Sequence, residues 1–292
     1  MLQGVVIKAY NGYYYVQNKD RIFMCTIRGR FKKERFSLLV GDEVEFEIVG
    51  TEKGIIEGIF QRKVMLKRPM VANVDQVIIT FAASNPDISS VLLDRFLVLA
   101  ELSNISSIIC INKIDLADSL QMEALCDRYR KIGYPVIPVS AKNGIGIIDV
   151  ASHLHGKVSV FAGPSGVGKS TLLNMIEPGL ELNTGAVSKK IGRGKHTTRF
   201  AELLPLSGGG FVVDTPGFSS TQFEDVEERR LTECFPEFRN LSHQCKFTTC
   251  LHYREPQCAV KEAVSKGEIC EERYASYIEI LTEIQESRKG YR

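Results

Sequence analysis

A glycine-rich segment at residues 163–170, with the sequence GPSGVGKS, restricts the fold of this chain more than any other feature. It fits the pattern G-x-x-x-x-G-K-[ST], follows the apolar run 158–161 and leads into the helical stretch 171–174. In a strand–loop–helix unit of this kind, the glycines let backbone N–H groups wrap a phosphate at the helix N-terminus. Lys169 would reach the β- and γ-phosphates, and the Ser170 hydroxyl would bind Mg²⁺. The motif therefore predicts an α/β fold with a phosphate loop.

Short β-branched runs separated by helical stretches continue this α/β pattern from about residue 66 to residue 220. Apolar runs without polar alternation are typical of strands that are covered on both faces, as in a parallel sheet. The predicted strands are 77–80, 108–111, 136–139, 158–161 and 211–213, and the helical stretches include 91–102 and 120–131. We expect a central α/β domain with a parallel sheet.

The regions on either side of this domain have different patterns. In residues 1–65, Val44, Phe46 and Ile48 alternate with glutamates, which predicts short strands and a small antiparallel barrel of the OB type. After residue 220 the strand pattern ends, and residues 271–288 have apolar side chains at helical spacing. We therefore expect a multidomain chain: an all-β OB-type barrel at 1–65, the α/β domain at 66–220 and a small helical domain at 221–292.

The composition of the 292-residue chain excludes transmembrane, collagen-like and wholly disordered proteins. Hydrophobic residues make up 44% and charged residues 25% of it, and no apolar run approaches the roughly 18 residues that a membrane span needs. The N-terminus has no basic start followed by an apolar stretch, so we expect a cytoplasmic protein. Eight cysteines are too few for a disulfide scaffold in a chain of this length.

Three further short motifs follow predicted strands and indicate which base the site binds. Residues 112–115, NKID, resemble the N-K-x-D element of GTPases, whose aspartate accepts hydrogen bonds from guanine N1–H and the exocyclic amine. Residues 140–142, SAK, resemble the element whose backbone contacts the guanine carbonyl, and residues 214–217, DTPG, match D-x-x-G. Adenine lacks that donor pair, so the set predicts a guanine nucleotide at the carboxyl ends of the strands. The candidate nucleotide-binding residues are Asn112, Lys113, Asp115, Ser140, Ala141, Lys142, Gly163, Pro164, Ser165, Gly166, Val167, Gly168, Lys169, Ser170, Thr171, Asp214 and Gly217.

The order of these motifs along the chain is unusual. In ordinary GTPases the phosphate loop comes first, whereas here the two guanine elements precede it. This order indicates a circular permutation, which a fold tolerates when its contacts survive. As a consequence, the segment after residues 214–217 leads directly into the C-terminal region, so the nucleotide state can move that region.

With its motifs in this order, the sequence resembles the circularly permuted GTPases of the RsgA group, also called YjeQ or YloQ, over essentially its whole length. The resemblance implies an OB-fold domain, a GTPase domain and a zinc domain. It also implies a role in maturation of the small (30S) ribosomal subunit, in which the outer two domains bind ribosomal RNA. The expected ligands are GTP and GDP with Mg²⁺, and nothing in the sequence requires more than a monomer.

The hydrolytic residues follow from the same resemblance. Phe218 stands after the D-x-x-G motif, where Ras-like enzymes carry the glutamine that orients water, so turnover by the isolated protein should be slow. Residues 195–199, KHTTR, resemble the switch I of the family, which makes His196 the candidate catalytic residue. Alternatively, His196 is an RNA-facing residue of a basic loop. The expected Mg²⁺ ligands are Ser170, Asp214 and a switch I threonine, for which Thr198 is preferred to Thr197.

Cysteine and histidine residues near the C-terminus have a spacing that suits a metal ion. The pattern Cys245-x4-Cys250-x-His252-x5-Cys258 offers three thiolates and one imidazole, which is enough for a closed tetrahedral Zn²⁺ site. Three thiolates favour zinc over hard cations. Because no position is left open for water, we expect a structural zinc ion. His243 is an alternative ligand.

A basic cluster lies within the predicted barrel. It consists of Arg28, Arg30, Lys32, Lys33 and Arg35, with a single acid among them. Such a cluster neutralises phosphates, so it predicts contact with ribosomal RNA. A solvated loop is the alternative interpretation of the same residues.

The sequence is compatible with three hypotheses about function. The first is a GTP hydrolase that is stimulated by the small ribosomal subunit. The second, which Phe218 favours for the isolated protein, is a ribosomal-RNA-binding module that uses GTP as a conformational lock, with incidental hydrolysis. The third is an ATP-dependent kinase or ATPase, which requires that Asp115 does not meet guanine.

Overall fold

The computed structural model describes residues 1–28, 38–67, 69–180, 201–214, 223 and 226–289. The chain packs as two compact units. The first unit comprises Met1–Ile78, Ile147–Ala162 and Lys169–Ser219, and the second comprises Ile79–Gly146, Gly163–Gly168 and Ser220–Arg292. The domain limits at residues 65 and 220 stay a prediction.

The described residues form thirteen strands and eight α-helices. The strands are β1 Leu2–Tyr10, β2 Tyr13–Asn18, β3 Arg21–Ile27, β4 Glu43–Ile48, β5 Lys53–Ile59, β6 Met65–Lys67, β7 Met70–Ala72, β8 Gln76–Ala82, β9 Ser106–Asn112, β10 Val136–Pro138, β11 Val158–Ala162, β12 Glu202–Pro205 and β13 Phe211–Asp214. The helices are α1 Ser90–Leu102, α2 Ser119–Ile132, α3 Ile147–Leu154, α4 Lys169–Ile176, α5 Glu228–Glu233, α6 Pro236–Ser242, α7 Ala259–Ser265 and α8 Glu271–Lys289. Two short 3-10 turns cover Ile114–Leu116 and Pro178–Leu180.

Strands β1 to β5 of the first unit close into a barrel, which confirms the predicted all-β architecture of the N-terminal region. β1 pairs with β2 and β4, β2 with β3, and β4 with β5, all antiparallel, whereas β3 and β5 are parallel. The predicted small antiparallel barrel thus has one parallel pair, β3 with β5. Five strands in a ring cannot alternate in direction throughout, because five is an odd number, so one neighbouring pair must be parallel.

The barrel core is formed by the side chains that alternation points inward. Val44 and Phe46 of β4 are fully buried, whereas Ile48 at the end of the strand is exposed. Phe46 packs against Phe23 of β3, with ring centroids 5.2 Å apart. The remaining members of this cluster are Val6, Val16, Cys25, Leu38 and Ile56. The alternation seen in the sequence thus produces an apolar interior.

Further strands of the first unit continue from the barrel in the order β11-β13-β12-β1. β11 and β13 are parallel, as predicted. β12, which the sequence pattern did not predict, is antiparallel to both β13 and β1. The register places Lys8 opposite Glu202, and Glu202 opposite Asp214. Lys8 Nζ and Glu202 Oε1 form an ion pair at 2.9 Å.

Strands β9 and β10 of the second unit are parallel. β8 is next to β9 in the order β10-β9-β8, and its last four residues belong to this unit. All seven residues of β8 are buried, in agreement with the prediction that residues 77–80 form a strand covered on both faces. Helix α1 begins after Ser89, whose hydroxyl accepts a hydrogen bond from Leu92 N, and α2 begins after Asp118, which caps it in the same way. Gly133 ends α2 with a φ of 110°. Both helices match the predicted stretches.

The C-terminal part of the second unit is helical, and residues 226–289 contain no strand. Its core includes the stacked rings of Phe235 and Phe238, both in contact with Tyr277 of α8. Arg273 of α8 is also buried, and its guanidinium contacts Asp94 of α1 at 2.6 Å. Helices α1 and α8 therefore share one core. Among the described residues, no helix combines the length and the apolar character that a membrane crossing needs.

Candidate functional site

Two of the three phosphate-loop glycines, Gly163 and Gly168, lie where neighbouring atoms leave no room for a side chain. At Gly163, with a φ of +130°, an added Cβ would lie 2.0 Å from the Thr80 carbonyl oxygen of β8. At Gly168, with a φ of +92°, it would lie 2.4 Å from Asn112 Nδ2. Pro164 is half-buried and Ser165 is exposed. The loop is thus packed at both ends and exposed at its tip, as a backbone cradle for an anion requires.

Asn112, the last residue of β9, connects three of the predicted motifs within the second unit. Its side chain is buried, and Nδ2 donates to the carbonyl oxygen of Val167 in the phosphate loop at 2.9 Å. Its Oδ1 accepts from the backbone N–H groups of Lys113 at 2.8 Å and Ala141 at 3.0 Å. Asn112 therefore holds the NKID, SAK and phosphate-loop segments together.

The two other polar residues of the NKID motif face the same loops. Lys113 has a left-handed φ of 60°, and its Nζ donates to the carbonyl oxygens of Gly166, at 2.8 Å, and of Asn85. Asp115 is exposed, and its Oδ1 accepts from Ser140 Oγ at 2.5 Å. The Ser140 bond fixes the carboxylate, while its exposed side leaves it accessible to an incoming base.

The SAK segment is ordered by local hydrogen bonds. Ser140 exchanges backbone hydrogen bonds with Ile145, and its Oγ accepts from Asn143 N at 3.3 Å. Ala141 is buried, whereas Lys142 is exposed. The backbone N–H of Ala141 is already bonded to Asn112, so this segment is rigidly attached to the NKID motif.

The residues predicted to bind phosphate and Mg²⁺ after Gly168 lie in the first unit. Lys169 and Ser170 are in the first turn of α4, followed by the exposed Thr171, and Asp214 is the exposed last residue of β13. Burial lowers the pKa of the Lys169 ammonium, and a bound anion would counteract this shift. A hydroxyl and a carboxylate are ligands that Mg²⁺ accepts, so Ser170 and Asp214 fit the ion. His196, Thr198 and Gly217 lie outside the described residues.

The four predicted metal ligands come together in the second unit. The ligand atoms of Cys245, Cys250, His252 and Cys258 all lie within 4.8 Å of one another. Cys245 Sγ is 3.9 Å from Cys258 Sγ, and His252 Nδ1 is 3.5 Å and 3.3 Å from these two sulfurs. A tetrahedral ion with metal–sulfur bonds of about 2.3 Å needs edges of nearly this length. The set therefore fits one metal ion, and His243, which is exposed, does not belong to it.

The loop that carries these ligands is fixed by hydrogen bonds that the sequence motifs did not predict. Glu255 Oε1 accepts from Leu251 N at 2.9 Å. From helix α8, Tyr277 OH donates to the Leu251 carbonyl at 2.5 Å and Tyr274 OH donates to the His252 carbonyl at 2.7 Å. The sequence signal was the pair of tyrosines three positions apart on the apolar stripe of α8, which places both on one face.

Only the first residue of the predicted RNA-binding cluster is described. Arg28 Nη1 lies 2.7 Å from Glu57 Oε2, a carboxylate that is largely buried in the barrel wall. The guanidinium itself is more than half exposed. Arg30, Lys32, Lys33 and Arg35 lie outside the described residues. The RNA-binding role of the cluster stays a prediction.

Comparisons with known proteins place this site in a family. A family model described as the RsgA GTPase matches residues 59–224, and one described as the RsgA N-terminal domain matches residues 3–56. The chain belongs to the RsgA GTPase family. Curated members named small ribosomal subunit biogenesis GTPase RsgA include one from Geobacillus sp. strain WCH70, 49% identical over 100% of both chains. Another, from Caldanaerobacter subterraneus subsp. tengcongensis, is 46% identical over 99% of this chain and 97% of its own.

Solved structures of RsgA relatives have the same fold. YjeQ from Thermotoga maritima superposes with a TM-score of 0.87 at 39% identity, covering 97% of this chain and 98% of its own. YloQ, described as a circularly permuted GTPase, superposes with a TM-score of 0.85 at 41% identity, covering 98% and 96%. The predicted RsgA resemblance, GTPase activity and permuted multidomain fold are thereby confirmed.

Proposed function

We propose that this RsgA-family GTPase acts in maturation of the small (30S) ribosomal subunit, binding ribosomal RNA and coupling its GTP state to a release or checkpoint step. The observation that carries the guanine assignment is the arrangement around Asn112, which joins the base-recognition segments to the phosphate loop. The name shared by the curated relatives supports the ribosomal role. Because the match covers essentially the full length of these relatives, the proposal applies to the whole chain.

In this proposal each site residue has a defined role. The exposed carboxylate of Asp115 accepts from guanine N1–H and the exocyclic amine, while Ser140 holds it in place. Residues 163–168 supply backbone N–H groups to the phosphates, and Lys169 supplies a cation. Ser170, Asp214 and Thr198 hold Mg²⁺, and the backbone of Gly217 contacts the γ-phosphate. The ion supplies neutralisation of charge that develops on the phosphate oxygens.

His196 orients the attacking water in this proposal, because Phe218 has no group that can do so. Slow turnover by the isolated protein follows, and docking on the small subunit accelerates it. The rival assignment is a binding module in which GTP acts only as a conformational lock. It is also based on Phe218. The two differ in whether the subunit changes the rate of hydrolysis.

The metal at Cys245, Cys250, His252 and Cys258 is proposed to be zinc, because three thiolates and one imidazole suit its coordination preferences. Its role is structural, since the four ligands fill a tetrahedral shell.

The basic cluster at residues 28–35 is proposed to bind ribosomal RNA. The protein is proposed to work as a cytoplasmic monomer without membrane attachment, with domains at 1–65, 66–220 and 221–292.

The proposal is tested by steady-state GTP turnover of the purified chain, alone and with small ribosomal subunits. Large subunits and ATP serve as controls. We expect strong stimulation by small subunits and GTP only. Bound GTP without stimulation would leave the binding module as the better description.

A substitution tests the guanine assignment independently. Asp115→Asn replaces one of the two carboxylate oxygens, which accept hydrogen bonds from guanine, with an NH2 group, which only donates. GTP affinity should therefore fall at least about tenfold, while xanthosine triphosphate binds better. The exposed Asp149→Asn is the matched control, with unchanged affinity expected. Equal GTP affinity in the Asp115 variant would contradict the assignment.

A further inference from the structure

The histidine of the metal cluster has different partners on its two ring nitrogens. His252 Nδ1 faces the sulfurs of Cys245 and Cys258 at 3.5 Å and 3.3 Å. On the other side of the ring, Nε2 lies 3.1 Å from the Oγ of Ser242, the last residue of helix α6. The ring is buried, so water cannot replace this serine as a partner without a rearrangement.

The hydrogen-bond network around Ser242 determines which nitrogen carries the ring proton. Ser242 Oγ lies 2.8 Å from the carbonyl oxygen of Phe238, one helical turn earlier. A carbonyl only accepts, so the single hydroxyl hydrogen points to Phe238, and a lone pair of the hydroxyl faces the ring. That lone pair needs a donor, which places the proton of neutral His252 on Nε2. The lone pair of Nδ1 then points at the thiol cluster.

The position of the ring is fixed as well as its tautomer. Phe238 packs edge-on against the imidazole, with ring centroids 5.8 Å apart. The backbone at His252 has a left-handed φ of 56°, a conformation that is uncommon for a residue with a side chain. Tyr274 holds it there through the His252 carbonyl. A 180° flip of the ring would put Cδ2 in the place of Nδ1 and Cε1 in the place of Nε2, so it would break the Ser242 bond and turn Nδ1 away from the thiols.

We propose that Ser242 is a positioning residue for the metal site: its hydroxyl accepts from His252 Nε2–H and thereby presets Nδ1 as the coordinating nitrogen. This inference rests on the metal site proposed above and goes beyond the four ligands. Partners of this kind, behind a ligating histidine, change metal affinity by about 10- to 100-fold when they are removed. The sequence gives no sign of the pair, since Ser242 lies ten residues before His252 and outside the ligand spacing.

The test uses the full-length chain, stripped with a chelator and titrated with zinc in competition with a chelator of known affinity. Ser242→Ala should weaken zinc binding by about 10- to 100-fold, whereas Ser242→Thr, which keeps the hydroxyl, should restore most of it. Ser265→Ala is the matched control, because Ser265 Oγ bonds a carbonyl of its own helix, that of Glu262, at 2.7 Å. We expect the control to bind zinc like the wild type. Equal affinity in the Ser242→Ala chain would overturn the proposal.

A second measurement needs no variant. Long-range ¹⁵N–¹H spectra of histidine-labelled wild-type chain with one equivalent of zinc should show His252 protonated at Nε2 and coordinated through Nδ1. Coordination through Nε2 would overturn the proposal even if the Ser242→Ala chain failed to fold. A wild-type chain that bound no zinc would instead overturn the zinc site itself, so the two failures are distinguishable.

Discussion

In the barrel, strands are joined to one another by backbone hydrogen bonds, whereas the C-terminal helices are joined by side chains with several partners each. The barrel core contains apolar side chains from all five strands. The helical core contains, besides its aromatic rings, the buried guanidinium of Arg273, which contacts Asp94 and Glu237. Of the four candidate metal ligands, Cys258 belongs to this core, and Cys245 and Cys250 pack against it.

The two regions therefore differ in how sensitive they are to a single substitution. A backbone ladder spreads stabilisation over many hydrogen bonds of about 0.5–1.5 kcal/mol each, which no single side chain controls. In the C-terminal helices, one arginine or one cysteine controls several contacts at once. We therefore expect single substitutions to have larger effects there than in the barrel.

The largest effect should come from the metal site. Cys258→Ser removes one thiolate, and we expect loss of the metal and a fall in the free energy of unfolding of upwards of about 5 kcal/mol, because binding energy at structural zinc sites is folding energy. Metal content after dialysis and thermal unfolding measure this. Cys270→Ser, at a half-exposed cysteine outside the cluster, is the control and should change little. A Cys258→Ser chain with wild-type metal content would contradict the prediction.

The buried arginine should give the next largest effect. Arg273→Met leaves Asp94 and Glu237 without their cation, which should cost about 3–5 kcal/mol in urea unfolding. Arg128→Met, which removes a more exposed pair with Glu272, should cost at most about 1 kcal/mol. A smaller loss for Arg273→Met than for Arg128→Met would show that the buried pair does not stabilise the helices.

The loss in the Arg273→Met chain should also depend on pH. Burial raises the pKa of Asp94, and Arg273 is the main group that opposes this. Without the arginine, the native carboxyl holds a proton more readily than the unfolded one, so stability falls as pH rises through the native pKa. The loss relative to wild type should therefore be smaller near about pH 5 than near about pH 7.

The least destabilising change we expect is the removal of one methylene group from each of the two cores. Ile56 in the barrel and Ile280 in α8 are both fully buried. Ile→Val at either position should cost about 0.5–1.5 kcal/mol. Similar losses would show that apolar packing contributes alike in both regions. A difference well above this range would mean that packing itself, and not the charged and metal contacts, distinguishes the two regions.

Local patterns predicted those elements whose structure depends on neighbours in sequence. The alternation in residues 43–48 predicted β4, and the helical spacing in residues 271–288 predicted α8. The phosphate loop and the metal cluster were also predictable, because their chemistry requires fixed residue types at short spacing. Within the described residues, the predicted base-recognition segments and phosphate loop do come together.

Features that depend on distant partners were not predictable. β12 is four residues long and is a strand because β1 and β13 flank it. Arg273 follows two glutamates, so the sequence is typical of a solvent-exposed first turn of a helix. Its partner Asp94 lies 179 positions away in the sequence. The parallel pairing of β3 with β5 follows only from closure of the ring.

Closure of that ring has a consequence for how the barrel meets other molecules. Each of its five strands has a neighbour on both sides. None of these five described strands therefore offers a free row of backbone donors and acceptors on which another chain can add a strand or begin to aggregate. The barrel can therefore bind other molecules through its side chains and connecting loops. A substitution there can change which partner binds without changing the fold of the barrel.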